Sequence, residues 1–382
     1  MSFWQSSAPK ALALAGLFVA LAGCGSRDGL RELAAGREAY ESGDVQKAEK
    51  LRLKSESLNA TNVDTQVCLA LVNLAKGDLV AAERHLANAE GSASGDLDVR
   101  LLGAQLAWHA KAYDKAQSLY RSIAEDASLD SGVRARGWTG LGIVQMTNDA
   151  YELARVSFLT AIRLDRRNAS ARYHLGHLYR YAPFGYPEAA LEQFDAFVRL
   201  AVTADARVQK TQRAIIPGLK DTITQTASSR PGVSNRNSGA SALAISKAEA
   251  ALKKGQLKNA HAAYREALSA DPLAYPAALG LARLTLKADT TAAGQKKALD
   301  SYRLACSLQP GSVATFVEAG GLAERLGQTV VAREIYSRAV AANPASAGAL
   351  DGLIRMLRKA GDRTAANAYQ RYRDMVFPPS RK

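Results

Sequence analysis

The sequence predicts an all-α protein, a solenoid of about nine helix-turn-helix repeats in two blocks. Three observations predict it. First, a small residue recurs at Ala48, Ala82, Ala116, Ala154, Ala190, Ala260, Ala298, Ala332 and Ala366, in steps of 34, 34, 38, 36, 70, 38, 34 and 34. A near-constant step of this size marks a stacked repeat. Second, an aromatic stands four residues after that alanine in Phe158, Tyr264, Tyr302 and Tyr336. Four residues are about one helical turn, so both fall on one face. Third, the chain is rich in alanine, the best helix former. Hydrophobic residues at 47% and charged residues at 23% exclude wholesale disorder.

The elements follow in order. Lys10 is the only charge ahead of twelve apolar or small residues, Ala11 to Ala22. As a helix that run is about 18 Å long, short of a bilayer core of roughly 30 Å. It reads as the apolar stretch of a signal peptide. The run ends in Leu21-Ala22-Gly23-Cys24, which resembles the bacterial lipobox. The resemblance implies cleavage before Cys24 and acyl chains on it, hence a signal peptide over 1–23, a lipidated tether over 24–28 and permanent anchoring. Gly25 stands where the same sorting rule has an aspartate for inner-membrane retention, so the resemblance leans toward the outer membrane, facing the periplasm.

Residues 29–224 form the first block, five repeats and an extra helix, and 242–377 the second, with four repeats. Trp138, Leu141 and Gly142 give W-x2-L-G, and Leu175, Gly176 and Tyr179 give L-G-x2-Y. The second helices carry Ala154-Phe158-Ala161, Ala260-Tyr264-Ala267, Ala298-Tyr302-Ala305 and Ala332-Tyr336-Ala339. Turns fall at Gly43-Asp44, Gly77-Asp78, Gly255-Gln256, Gly327-Gln328 and Gly361-Asp362, and prolines at 272, 310 and 344 follow three second helices. This pattern resembles the tetratricopeptide repeat. Small residues let helices approach to about 8–10 Å, glycine ends the first helix, aspartate caps the second and proline stops it. Arg52 departs from the pattern at an aromatic position, and the last repeat fits Ala365, Tyr369 and Tyr372 as well as Ala366.

Three segments break the period. Lys287 to Gln295 reads as a longer loop. Residues 203–216 read as a helix ended by Pro217-Gly218. The polar run within 225–241 reads as a flexible linker, and 378–382 as a tail.

The chemistry on offer is binding chemistry. Fifty Lys and Arg against 36 Asp and Glu favour anionic partners. The repeat resemblance implies a concave groove lined by first helices. The matching positions are Leu101, Gln105, Trp108 and His109; Arg136, Thr139, Ile143 and Met146; and Tyr173, His177, Arg180 and Tyr181. Aromatics, Met and Arg are frequent anchors of protein interfaces. A basic face is predicted at Arg355, Arg358 and Lys359 near Asp351, read either as an anion site or as the solvated cap that a repeat array needs. Cys68 and Cys306 read as small buried side chains. His174 and His177 are spaced i, i+3 but have no carboxylate companion, so no metal site is expected. No phosphate-binding loop and no nucleophile motif occurs, so the chain reads as a non-enzyme without cofactor.

The expected function is therefore a lipid-anchored scaffold of the cell envelope that holds protein partners. It resembles helical-repeat lipoproteins that assist envelope machines: secretin pilotins of pili, outer-membrane protein assembly and exopolysaccharide export. The alternative is a module binding an anionic polymer or cell-wall glycan through its basic faces. Nucleic acid is not an expected partner, because the leader implies export.

Overall fold

A computed structural model describes Gly36, Ala39 and residues 45–58, 62–181, 183–201 and 206–378. The leader, Cys24, the tether, the Gly43-Asp44 turn and the tail beyond residue 378 lie outside the described residues. Those residues fold as helices joined by short turns, with no strand among them. None of these helices is long and apolar enough to cross a membrane. The chain divides into two compact units, Met1–Gly185 with Ala190–Pro217, and Tyr186–Ala189 with Gly218–Lys382.

The first unit holds α1 (Val45–Leu58), α2 (Val63–Lys76), α3 (Leu79–Ala93), α4 (Leu97–His109), α5 (Tyr113–Ala124), α6 (Ser131–Thr147), α7 (Tyr151–Leu164), α8 (Ala169–Arg180), α9 (Pro187–Leu200) and α10 (Ala206–Lys210). Helices α2/α3, α4/α5 and α6/α7 are antiparallel pairs, and the first helices of successive pairs also touch, α2 with α4, α4 with α6 and α6 with α8. Side-chain caps start most first helices: Asn62 accepts from the Thr65 N–H at 2.9 Å, Asp130 from Val133 at 3.0 Å and Asn168 from Ala171 at 2.9 Å.

In the second unit α11 (Ile216–Ser228) precedes four pairs: α12 (Ser238–Lys253) with α13 (Leu257–Ala270), α14 (Tyr275–Ala288) with α15 (Ala292–Leu308), α16 (Val313–Arg325) with α17 (Thr329–Ala342), and α18 (Ala347–Lys359) with α19 (Arg363–Val376). Gly255, Gly327 and Gly361 end their first helices at φ of 70°, 71° and 82°. An L side chain there clashes with its own carbonyl, so glycine is the favoured residue.

The packing follows the repeat register. Each recurring alanine from Ala48 to Ala366 is fully buried. The aromatic one turn later lies against a first-helix glycine: a Cβ on Gly142 would sit 2.6 Å from Phe158, and one on Gly320 2.8 Å from Tyr336. The same Tyr336 ring also closes on Gly352 of the next pair. Arg52 takes the aromatic's place in the first repeat. It is buried, and a Cβ on Gly36 would meet its Cγ at 2.9 Å. In the last repeat Ala365, Ala366, Tyr369 and Tyr372 are all buried.

Three expectations are corrected. Pro217 does not end its helix. The chain makes a π turn over Thr211–Ile215, with the Ile216 N–H reaching the Thr211 carbonyl, and continues to Ser228. Shifting the ladder to i→i−5 before the proline accommodates its missing donor. The expected linker over 225–241 is helical at both ends, leaving only 229–237 between α11 and α12, including a short 3-10 turn at Val233–Asn235. Thr222, Thr226 and Ser228 hydroxyls each donate to the carbonyl four residues back at 2.8 Å, so these polar residues fit inside a helix. The connection itself is pinned: Arg230 donates to the Ser307 carbonyl at 3.0 Å and the Asn237 N–H to Ala270 at 2.7 Å. Finally, the insertion at 287–295 lengthens α15 rather than a loop. Thr291 caps the helix by accepting from Gly294 N–H at 3.1 Å, and the alanines at 292 and 293 enter its first turn.

Candidate functional site

The predicted groove positions divide by exposure. Leu101, Gln105, Thr139, Met146, Tyr173 and His177 are buried. Trp108, His109, Arg136, Ile143, Arg180 and Tyr181 are partly exposed. The exposed subset sits on α4, α6 and the end of α8, first helices that touch along the stack. Trp108 ties two of them together: its Nε1–H donates to Thr147 Oγ1 at 3.2 Å. His109 meets the Trp108 ring edge-on at 4.8 Å, and burial lowers its pKa, so the imidazole stays neutral near pH 7. Arg180 lies over the Tyr181 ring at 5.2 Å. The face is thus aromatic with cationic edges, and its indole is already fixed in orientation.

The buried half serves the interior. Tyr173 packs against Phe194 and Phe197 of α9, and Arg207 of α10 lies 5.0 Å over its ring. His174 stacks on Phe158 at 5.8 Å. His177 meets Tyr173, Tyr181 and Phe194. Burial, then Arg180, Lys210 and Arg207, pushes the His177 pKa down to about 3, and burial with Arg207 and His177 lowers that of His174. These histidines are core members. No group of three or more potential metal ligands occurs among the described residues. Arg207 went unseen because it lies in a segment without repeat register. The partner of Trp108, Thr147, lies 39 residues on, close to one repeat period, and that spacing was the available signal.

Two of the three predicted basic-face residues share one carboxylate within the fold. Arg355 donates twice to Glu324, at 3.2 and 2.9 Å, and Lys359 Nζ reaches the same carboxylate at 3.1 Å. The hydrogen bond from Arg355 holds the Glu324 carboxyl below its usual range. Arg358 bonds Gln370, and Arg373 bonds Asp351. One pair earlier, Arg283 makes a two-pronged bond to Glu318, which also accepts from the Tyr302 hydroxyl at 2.8 Å. Cys68 and Cys306 are buried thiols, and burial raises Cys306 to about 12.

The fold and this face define a repeat protein of stacked helical pairs that presents surfaces. No protein-family model matches the chain, and no curated protein matches it. Solved structures similar to it include Pseudomonas aeruginosa PilF, at 14% identity over 68% of this chain and 97% of that one, TM-score 0.37. MamA from Desulfovibrio magneticus RS-1 is similar at 13% identity over 50% and 99%, TM-score 0.34. The TPR2AB domain of yeast Sti1 in its pHSP90 complex is similar at 12% identity over 73% and 98%, TM-score 0.26.

Proposed function

We propose that this chain is a scaffold that holds a protein segment on the first-helix face of its first unit, while acyl chains on Cys24 tether it to a membrane of the cell envelope. The observation that carries the binding reading is the half-exposed row of Trp108, His109, Ile143, Arg180 and Tyr181 on touching first helices. Large aromatic side chains held in place lose little entropy on binding, and a neighbouring Arg adds directed donors. A peptide laying apolar anchors against Trp108 and Ile143, with an acidic group near Arg180, matches this row. The tether rests on the order of Lys10, the apolar run 11–22 and Gly23-Cys24. Assembly of an envelope machine such as a pilus, secretin or export apparatus is the setting in which a tethered, non-catalytic binding surface is useful.

A photo-crosslinking residue in place of Ile143, in intact cell envelopes, tests the groove. A discrete protein adduct is expected that survives about 0.5 M salt, because screening weakens charge pairs far more than apolar contact. Trp108→Ala should remove it. An adduct pattern unchanged by Trp108→Ala and Tyr181→Ala overturns the reading. Separately, Cys24→Ala should release the chain from membranes, and a mature chain still carrying Met1 would refute the tether.

A further inference from the structure

The net charge is not shared evenly along the chain. Residues 1–217 hold 26 Lys and Arg against 24 Asp and Glu, whereas 218–382 hold 24 against 12. Within the second unit three first-helix cations, Arg283, Arg355 and Lys359, are engaged by Glu318 and Glu324. The second helices differ. Lys258 and Arg265 on α13, and Lys296 and Arg303 on α15, are exposed, and no ion pair holds any of them among the described residues.

Their register is the same. Measured from the buried alanines Ala260 and Ala298, each helix has Lys two residues before and Arg five residues after. Lys and Arg are thus seven residues apart, nearly two full turns, so they lie on one stripe about 10 Å apart. Two successive repeats present the same stripe. Lys253 and Lys254 at the α12–α13 turn add to it, while Lys297 faces Asp289. The acids nearby are Glu266, 3.7 Å from Lys247, Asp289 beside Lys297, and Asp300, exposed between Lys296 and Arg303.

We propose that the second-helix face of the repeats over 238–308 binds an acidic glycan through Lys258, Arg265, Lys296 and Arg303. The surface between the charges favours that class. Leu299 is buried, and none of the large exposed apolar side chains, Leu53, Val80, Leu243 and Val330, belongs to α13 or α15. A peptide needs anchor pockets or a strand edge, and a membrane-lying helix needs an apolar wedge. A polymer of spaced carboxylates that keeps its hydroxyls in water needs only regularly placed counter-charges. This site is separate from the groove of the first unit and does not depend on it.

The test is binding of the full chain to polygalacturonate, with polyglutamate and phosphatidylglycerol vesicles as parallel probes. Replacing all four residues by Gln should weaken polygalacturonate binding at low salt by at least about 30-fold, each cation contributing a few-fold. The pair Arg355→Gln and Lys359→Gln should change it by less than about threefold, since both cations are already engaged by Glu324. Asp300→Asn should tighten binding about threefold, a gain that misfolding cannot produce. Unaltered binding by the fourfold variant, no gain from Asp300→Asn, or tighter binding to polyglutamate or vesicles than to polygalacturonate would each overturn the proposal.

Discussion

The two units solve the same packing problem with different interiors. In the second, first helices end on Gly255, Gly327 and Gly361 in the left-handed conformation, and ion pairs such as Arg283–Glu318 and Arg355–Glu324 join successive first helices. In the first, α2 ends the same way on Gly77 at 80°, but after α4 and α6 Lys111 and Asp149 hold that conformation, at φ of 61° and 58°, where glycine would be relaxed. Its interior takes in His174, His177, Arg155 and Arg207 among aromatic rings. The comparison teaches that alanine and aromatic spacing sets the hairpin, while turn residues and interior polar groups are free to diverge, at a cost in local stability.

The comparison can be broken most decisively at its shared element. Phe158→Ala in the first unit and Tyr336→Ala in the second should each destabilise by about 3–5 kcal/mol in denaturant unfolding. A loss well under that in either unit would mean its ring–glycine contact is not the common support.

Acid should then separate the units. The folded-state pKa of His177 lies near 3, below the ordinary value of 6.5. The unfolded chain therefore binds the proton first, and stability falls as pH drops below about 6.5, the loss being complete only below the folded value. At pH 4 this amounts to something on the order of 3 kcal/mol for His177. In the second unit the lowered carboxyls of Glu318 and Glu324 act in the same direction over a more acidic range: their stabilisation is present above the ordinary value of 4.5 and is lost as pH falls below it. Hydrogen exchange at pH 5 should find the first unit loosened and the second unchanged, and His177→Phe should reduce the difference, with buried His174 supplying the rest.

The turns sharpen it further. Gly327→Ala should lose about 1–2 kcal/mol, whereas Lys111→Gly should gain about 0.5–1 kcal/mol, both read from thermal midpoints. Smallest is the exposed ladder: Arg355→Met should cost no more than about 1 kcal/mol, and that loss should shrink in high salt.

Much of this was legible beforehand, for physical reasons that name themselves. A buried alanine every 34 residues has no other use than close helix contact, and glycine before Asp78 or Asp362 reads as a stop and a cap. What misled was composition. Pro217 reads as a terminator, but a π turn absorbs it. The serine and threonine run after it reads as loop, yet its hydroxyls bond back along the helix. The register put Tyr173 on the groove, but it cannot show that Arg207, from outside any repeat, lies over that ring.

The Tyr336 ring, shared by Gly320 and Gly352, carries a last consequence. A side chain wedged between two neighbouring hairpins denies either of them a private melting event. Loosening one strips the other of its filler, so the two hairpins should come apart together, and a blemish at this ring would be felt by both neighbours at once.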